Sequence, residues 1–184
     1  MRSTPLKLCV TAIGIALFVA LSVCLQVPVF ENYYLCLGYV AMAVYCYSFG
    51  AVSGTLVGVL GVVLYCLVIS GLRGMPGWAL GNVVIGIVMG ITFRLTKQMR
   101  RPAVRIVIQI AAIVVSVTAG ILVVKSLTES LLYGQPFFAR TAKNVYAWVA
   151  DLVMMIASLP VCLMLEKPVK KIFPGLIAEQ KEEK

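Results

Sequence analysis

The chain is dominated by a succession of apolar stretches, each close to the length of a bilayer crossing and joined by short segments. A hydrocarbon core about 30 Å thick needs about 20 mainly apolar helical residues. Stretches of that kind cover residues 8–27, 35–49, 50–70, 78–95, 106–124 and 144–165 of the 184. Hydrophobic residues make up 61% and charged residues only 12%, where a soluble domain is about half apolar and about a quarter charged. Mean hydropathy is +1.01. Water could not solvate a compact form of this chain. The expected fold class is therefore an all-α membrane protein, a bundle of six transmembrane helices. Residues 1–165 form the membrane domain and 166–184 a charged tail.

The boundary between the second and third helices is the least marked, because no charge separates them. Read as one helix, residues 35–70 would extend about 54 Å, too far for one crossing. Two crossings with a tight turn near Ser48–Ser53 fit better. The run from Gly71 to Gly77 holds three glycines and a proline and reads as a loop. Residues 125–143 read as the longest loop. Arg2 and Lys7 before an apolar run resemble a signal peptide, but that run is too long for a signal core.

The net charge is +9, and its placement orients the bundle. With the N-terminus inside, cytoplasmic segments carry Arg2, Lys7, Arg94, Lys97, Arg100, Arg101, Arg105, Lys167, Lys170, Lys171, Lys181 and Lys184. Outside remain Arg73, Lys125, Arg140 and Lys143. Positive residues gather on the cytoplasmic side, so both termini are expected there. A basic face on a soluble fold is absent, which sets nucleic acid aside as a partner.

Several kinds of chemistry are excluded. There is no histidine, so Ser-His, Cys-His and H-E-x-x-H arrangements cannot form. The six cysteines form no C-x-x-C pair and read as apolar packing residues, not zinc ligands. No phosphate-cradling G-x-x-x-x-G-K-[ST] occurs. Four of the seven acidic residues, Glu166, Glu179, Glu182 and Glu183, lie near the C-terminus. An enzyme is not expected, nor a cofactor or metal.

Two patterns remain. Ala12, Ala16 and Ala20 lie four apart and share one side of the first helix, a small-residue ridge against which another helix can pack. Glycines at 50, 54, 58 and 61, and at 77, 81, 86 and 90, read instead as internal packing. Polar and aromatic residues also gather toward the outer face: Tyr33, Tyr34, Arg73, Trp78, Asn82, Trp148 and Asp151, with Gln26, Glu31, Asn32, Asn144 and Tyr146 near them. Asp151 lies about two turns inside its helix, where a carboxylate is costly unless it faces a cavity or a partner. Arg73, Arg140 or Lys143 could supply that partner. As a group these residues suit a small-molecule pocket, with aromatic walls and a few polar anchors.

The basic N-terminus, the ridge Ala12-x-x-x-Ala16-x-x-x-Ala20, the glycine-rich third helix and the stretch Gly74-Met75-Pro76-Gly77-Trp78-Ala79-Leu80-Gly81-Asn82 together resemble the S components of energy-coupling factor (ECF) vitamin transporters, over most of the chain to about residue 165. The resemblance implies a subunit of an ABC importer in a prokaryotic plasma membrane. It would capture a vitamin or related precursor at the outer face. It would then dock through Ala12, Ala16 and Ala20 on a membrane T component driven by two cytoplasmic ATPases. Tyr33, Tyr34, Arg73, Trp78, Asn82, Trp148 and Asp151 would form the pocket. Asp151 suits an amine-bearing ring such as a thiamine-like or pyridoxine-like compound or a deazaguanine; Arg73 suits a carboxylate, as in pantothenate or folate. The alternative is a self-contained secondary transporter or channel with Asp151 as a proton or ion site.

Overall fold

The computed structural model describes residues 3–24, 27–30, 33–71, 74–97, 99 and 101–174. The elements are α1 (Ser3–Cys24), β1 (Val27–Phe30), β2 (Tyr33–Leu35), α2 (Gly38–Tyr65), a first π-helical segment (Cys66–Ser70), α3 (Met75–Thr96), α4 (Pro102–Val117), a second π-helical segment (Thr118–Lys125), α5 (Ser126–Tyr133) and α6 (Phe137–Ile172). Among the described residues, five helical stretches are long and apolar enough to cross a membrane: Pro5–Cys24, Gly38–Ile69, Met75–Thr96, Pro102–Tyr133 and Phe137–Ile172. Backbone groups in lipid must be satisfied internally, and helix achieves this along each stretch apart from the break at Gly50.

The stretch Gly38–Ile69 is not a straight rod. Gly50 has φ 87° and ψ −176°, a conformation open essentially to glycine alone. The chain reverses there. A side chain at Gly54 would strike Cys46, and one at Gly58 would strike Met42. In an unbroken helix Met42 and Gly58 would stand about 24 Å apart. The two halves therefore lie antiparallel, with Gly54 and Gly58 permitting the close approach. On the other side, Phe18 of α1 meets both Gly38 and Gly61 and packs edge-on against Tyr39 at 6.1 Å.

α3 packs on the second half of α2 through Gly86 against Thr55 and Gly90 against Ala51. It packs on the second π segment through Gly81, where an added Cβ would lie 2.7 Å from the Gly120 carbonyl oxygen. The core runs through Phe18, Tyr39, Met42, Val57, Ile85, Met89, Phe93, Ile113, Ile121 and Met155. Cys36, Cys46, Cys66 and Cys162 are buried; Cys9 and Cys24 are exposed, and all six thiols are free.

Three expectations need correction. Residues 125–143 do not form a long loop. Helix continues from Pro102 through Tyr133, and α6 already begins at Phe137. The turn shrinks to Gly134–Pro136, with Gly134 at φ 63°. The polar residues of that segment suggested a loop, but Ser126–Tyr133 holds no glycine or proline to stop a helix. Second, the helix expected over 8–27 spans Ser3–Cys24, and Val27–Phe30 pairs antiparallel with Tyr33–Leu35, Pro28 opposite Tyr34. Third, α6 passes residue 165 and ends at Ile172.

Candidate functional site

α3 carries Trp78 and Asn82 one turn apart, so both face inward at the end of the bundle that holds the β hairpin. α6 carries Asn144, Trp148 and Asp151 along one face by the same spacing. β2 packs against α6. The residue that joins the two helices is Tyr39, at the start of α2 and fully buried. Its hydroxyl accepts from Trp78 Nε1 at 2.8 Å and donates to Asn82 Oδ1 at 2.9 Å. Asn82 Nδ2 donates to the Gly58 carbonyl at 2.9 Å, which fixes which way the amide points. Asp151, 5% exposed, lies close enough to Tyr39 for its charge to be felt there.

The single hydrogen of the Tyr39 phenol goes to Asn82 Oδ1. The buried Asp151 carboxyl group stands beside this network. Buried polar groups are normally satisfied, and an N–H or O–H group of a bound molecule can pair with it.

Lys125 is the cation whose charge acts on Asp151. Its ammonium lies 5.7 Å from the centre of the Trp78 ring, in cation–π range. Lys125 comes from the second π segment, and such wide turns recur at functional sites. Trp148 Nε1 donates to Thr118 Oγ1 at 3.0 Å, tying α6 to the start of that segment. Asn144 donates to Ser126 Oγ at 2.9 Å and to Glu129 at 3.3 Å. Arg140 pairs with Glu129 at 3.7 Å, so its partner is not Asp151, and Lys143 is exposed.

Of the residues expected at the site, Trp78, Asn82 and Asp151 meet through Tyr39. Trp148 lies a turn away with its indole engaged elsewhere. Tyr33 and Tyr34 lie in β2, of which the backbone is described. Arg73, Gln26, Glu31 and Asn32 lie outside the described residues. Sequence reasoning missed Tyr39 and Lys125. Tyr39 gave a usable signal, a polar aromatic at the mouth of an apolar helix just after a polar loop. Lys125 looked like an ordinary outer-loop charge.

Ala12, Ala16 and Ala20 lie exposed on the outward side of α1, while Val10, Gly14, Phe18 and Ser22 face α2. The alanines are not part of the internal packing of this chain.

An apolar helical bundle with a polar, aromatic constellation buried at one end suits a small-molecule binding protein. Comparison with known proteins makes that class specific. The chain belongs to the family of ECF-type riboflavin transporter S components, whose family model matches residues 2–167. It is thus an integral membrane protein of a transporter substrate-binding family, not an enzyme family. Among solved structures it is similar to the S-component for biotin from an ECF-type ABC transporter, with TM-score 0.61 and 14% identity over 90% of this chain and 93% of that one. That likeness is one of fold. No curated protein matches the chain.

Proposed function

We propose that this chain captures a flat, ring-containing vitamin bearing N–H or O–H donors, between Trp78, Tyr39, Asn82 and Asp151. The observation that carries the reading is the buried Asp151 carboxyl group beside the Trp78–Tyr39–Asn82 hydrogen-bond network. Riboflavin, named in the family description, is the first candidate, since its ring system offers an imide N–H. Lys125 sets the polarity of the other side of the site by its charge.

In this reading the chain crosses the plasma membrane of a prokaryote six times. The two halves of α2 count as separate crossings. The β-hairpin end faces outward and both termini face the cytoplasm, as the basic residues require. Residues 166–184 form the cytoplasmic tail, the first turns of which extend α6. Ala12, Ala16 and Ala20 are the docking surface for a T component, and two ATPases supply the energy. Their outward exposure supports this, because small residues facing lipid do little for the isolated chain and let a partner helix come close.

Vitamin uptake in cells expressing the chain with and without a T component and ATPases tests the proposal. Uptake is expected only with the full set, and Ala16→Trp should abolish it while leaving vitamin binding intact. Uptake that persists without ATPases, driven by a proton gradient, would favour a self-contained transporter using Asp151.

A further inference from the structure

A second constellation lies at the opposite end of the bundle. The turn at Gly50 brings Tyr47 and Ser48 against the ends of α3 and α6. Glu166 clamps them: Oε2 accepts from the Tyr47 hydroxyl at 2.6 Å and from Arg105 at 3.0 Å, and Oε1 pairs with Lys170 at 2.6 Å. Lys97 donates to the Tyr47 backbone carbonyl and lies 4.5 Å from the centre of the Tyr47 ring. Its hydrogen-bond partner there is neutral. Three cations, Lys97, Arg105 and Lys170, thus gather about one carboxylate.

A small open recess of about 10 Å³, room inside for about one water-sized group, is lined by Tyr47, Ser48, Lys97, Glu166, Val169 and Lys170. Ser48 is 4% exposed, yet its hydroxyl has no hydrogen-bond partner among the described residues, and neither has the buried Arg105 Nε. Buried polar groups left this way are costly and call for an explanation. The surplus here is of donors and of positive charge. A phosphate group offers only acceptors and carries the opposite charge.

We infer that this recess binds a phosphate group, supplied by the headgroup of an anionic phospholipid. Ser48 and Lys97 hold one phosphate oxygen within, and Lys170 closes over the group from the rim. Leu165 and Ile172, exposed two turns apart on the same helix, offer apolar surface for an acyl chain. Basic residues at the cytoplasmic membrane surface attract anionic lipids. The lipid source rests on the orientation proposed above; the phosphate chemistry does not.

The test uses the purified full chain, with native mass spectrometry after titration with phosphatidylglycerol or with phosphatidylcholine. Thermal melts with inorganic phosphate run in parallel. Phosphatidylglycerol should be retained in preference to phosphatidylcholine. Lys97→Gln or Ser48→Ala should weaken retention by roughly tenfold, and Lys143→Gln, on an exposed residue elsewhere, should not. Lys170→Gln alters a half-exposed side chain, so it reads out the same site should the buried variants fold poorly. Stabilisation by inorganic phosphate that the same variants abolish, without lipid preference, would keep the phosphate site and overturn the lipid source. Retention and melts indifferent to all three substitutions would overturn the site itself.

Discussion

At the scale of single residues, Tyr39 carries the most. Its hydroxyl holds Trp78 and Asn82 and stands within reach of Asp151. Tyr39→Phe removes that hydroxyl but keeps the ring, so the bundle should fold while vitamin affinity falls by roughly tenfold, the equivalent of about 1.4 kcal/mol. Fluorescence titration with riboflavin measures it. Asn82→Ala differs in kind, because it takes away the acceptor of the buried Tyr39 hydroxyl together with the bond to the Gly58 carbonyl. Thermal stability should drop with it, by about 1–3 kcal/mol. Lys97, beyond the end of α3, makes a pH prediction. Burial lowers it from 10.5 to about 8. Between about pH 8 and 10.5 the folded chain has released that proton and the unfolded chain still holds it. Stability from this group therefore rises with pH across that window. Melting temperatures of the wild type should rise relative to Lys97→Met as pH goes from 8 to 10.5, and the difference should be flat below pH 7.

At the scale of elements, glycines decide which helices can touch. Gly50→Ala forces a side chain into a conformation that costs of order 1–3 kcal/mol and should loosen the α2 reversal. Gly90→Leu is harsher, because the obstructing atoms belong to the Ala51 backbone, which cannot swing aside. A loss of about 3 kcal/mol is expected, measured by heat-induced aggregation in detergent. Helix existence was legible in the sequence because apolar length is a one-dimensional quantity. The start of α3 fell within a few residues of expectation, since Gly74 and Pro76 punctuate it. The segment 125–143 was misread because polar side chains were taken as a sign of loop. In fact Ser126, Glu129 and Asn144 are polar because they bond to one another across α5 and α6.

At the scale of the whole molecule, the site is a product of the way the chain reverses. Trp78, Asn82 and Asp151 stand out in the sequence because each is a polar or amphipathic residue set against apolar neighbours, and the fold brings them together around Tyr39. Tyr39 could not be placed among them without knowing that Gly50 folds α2 back, which carries both Tyr39 and Gly58 to Asn82. Lys125 likewise needed the continuity of the Pro102–Tyr133 stretch, which lowers it from an expected loop to the flank of Trp78. The central claim is that this buried constellation holds a vitamin. Mass spectrometry of the small molecule retained by the purified chain tests it most directly. The account predicts one ring-bearing vitamin per chain in the wild type, with riboflavin first among candidates, and its loss in Asp151→Ala. A ligand retained equally by Asp151→Ala, Tyr39→Phe and Asn82→Ala, or no saturable ligand in a folded wild-type chain, would contradict it.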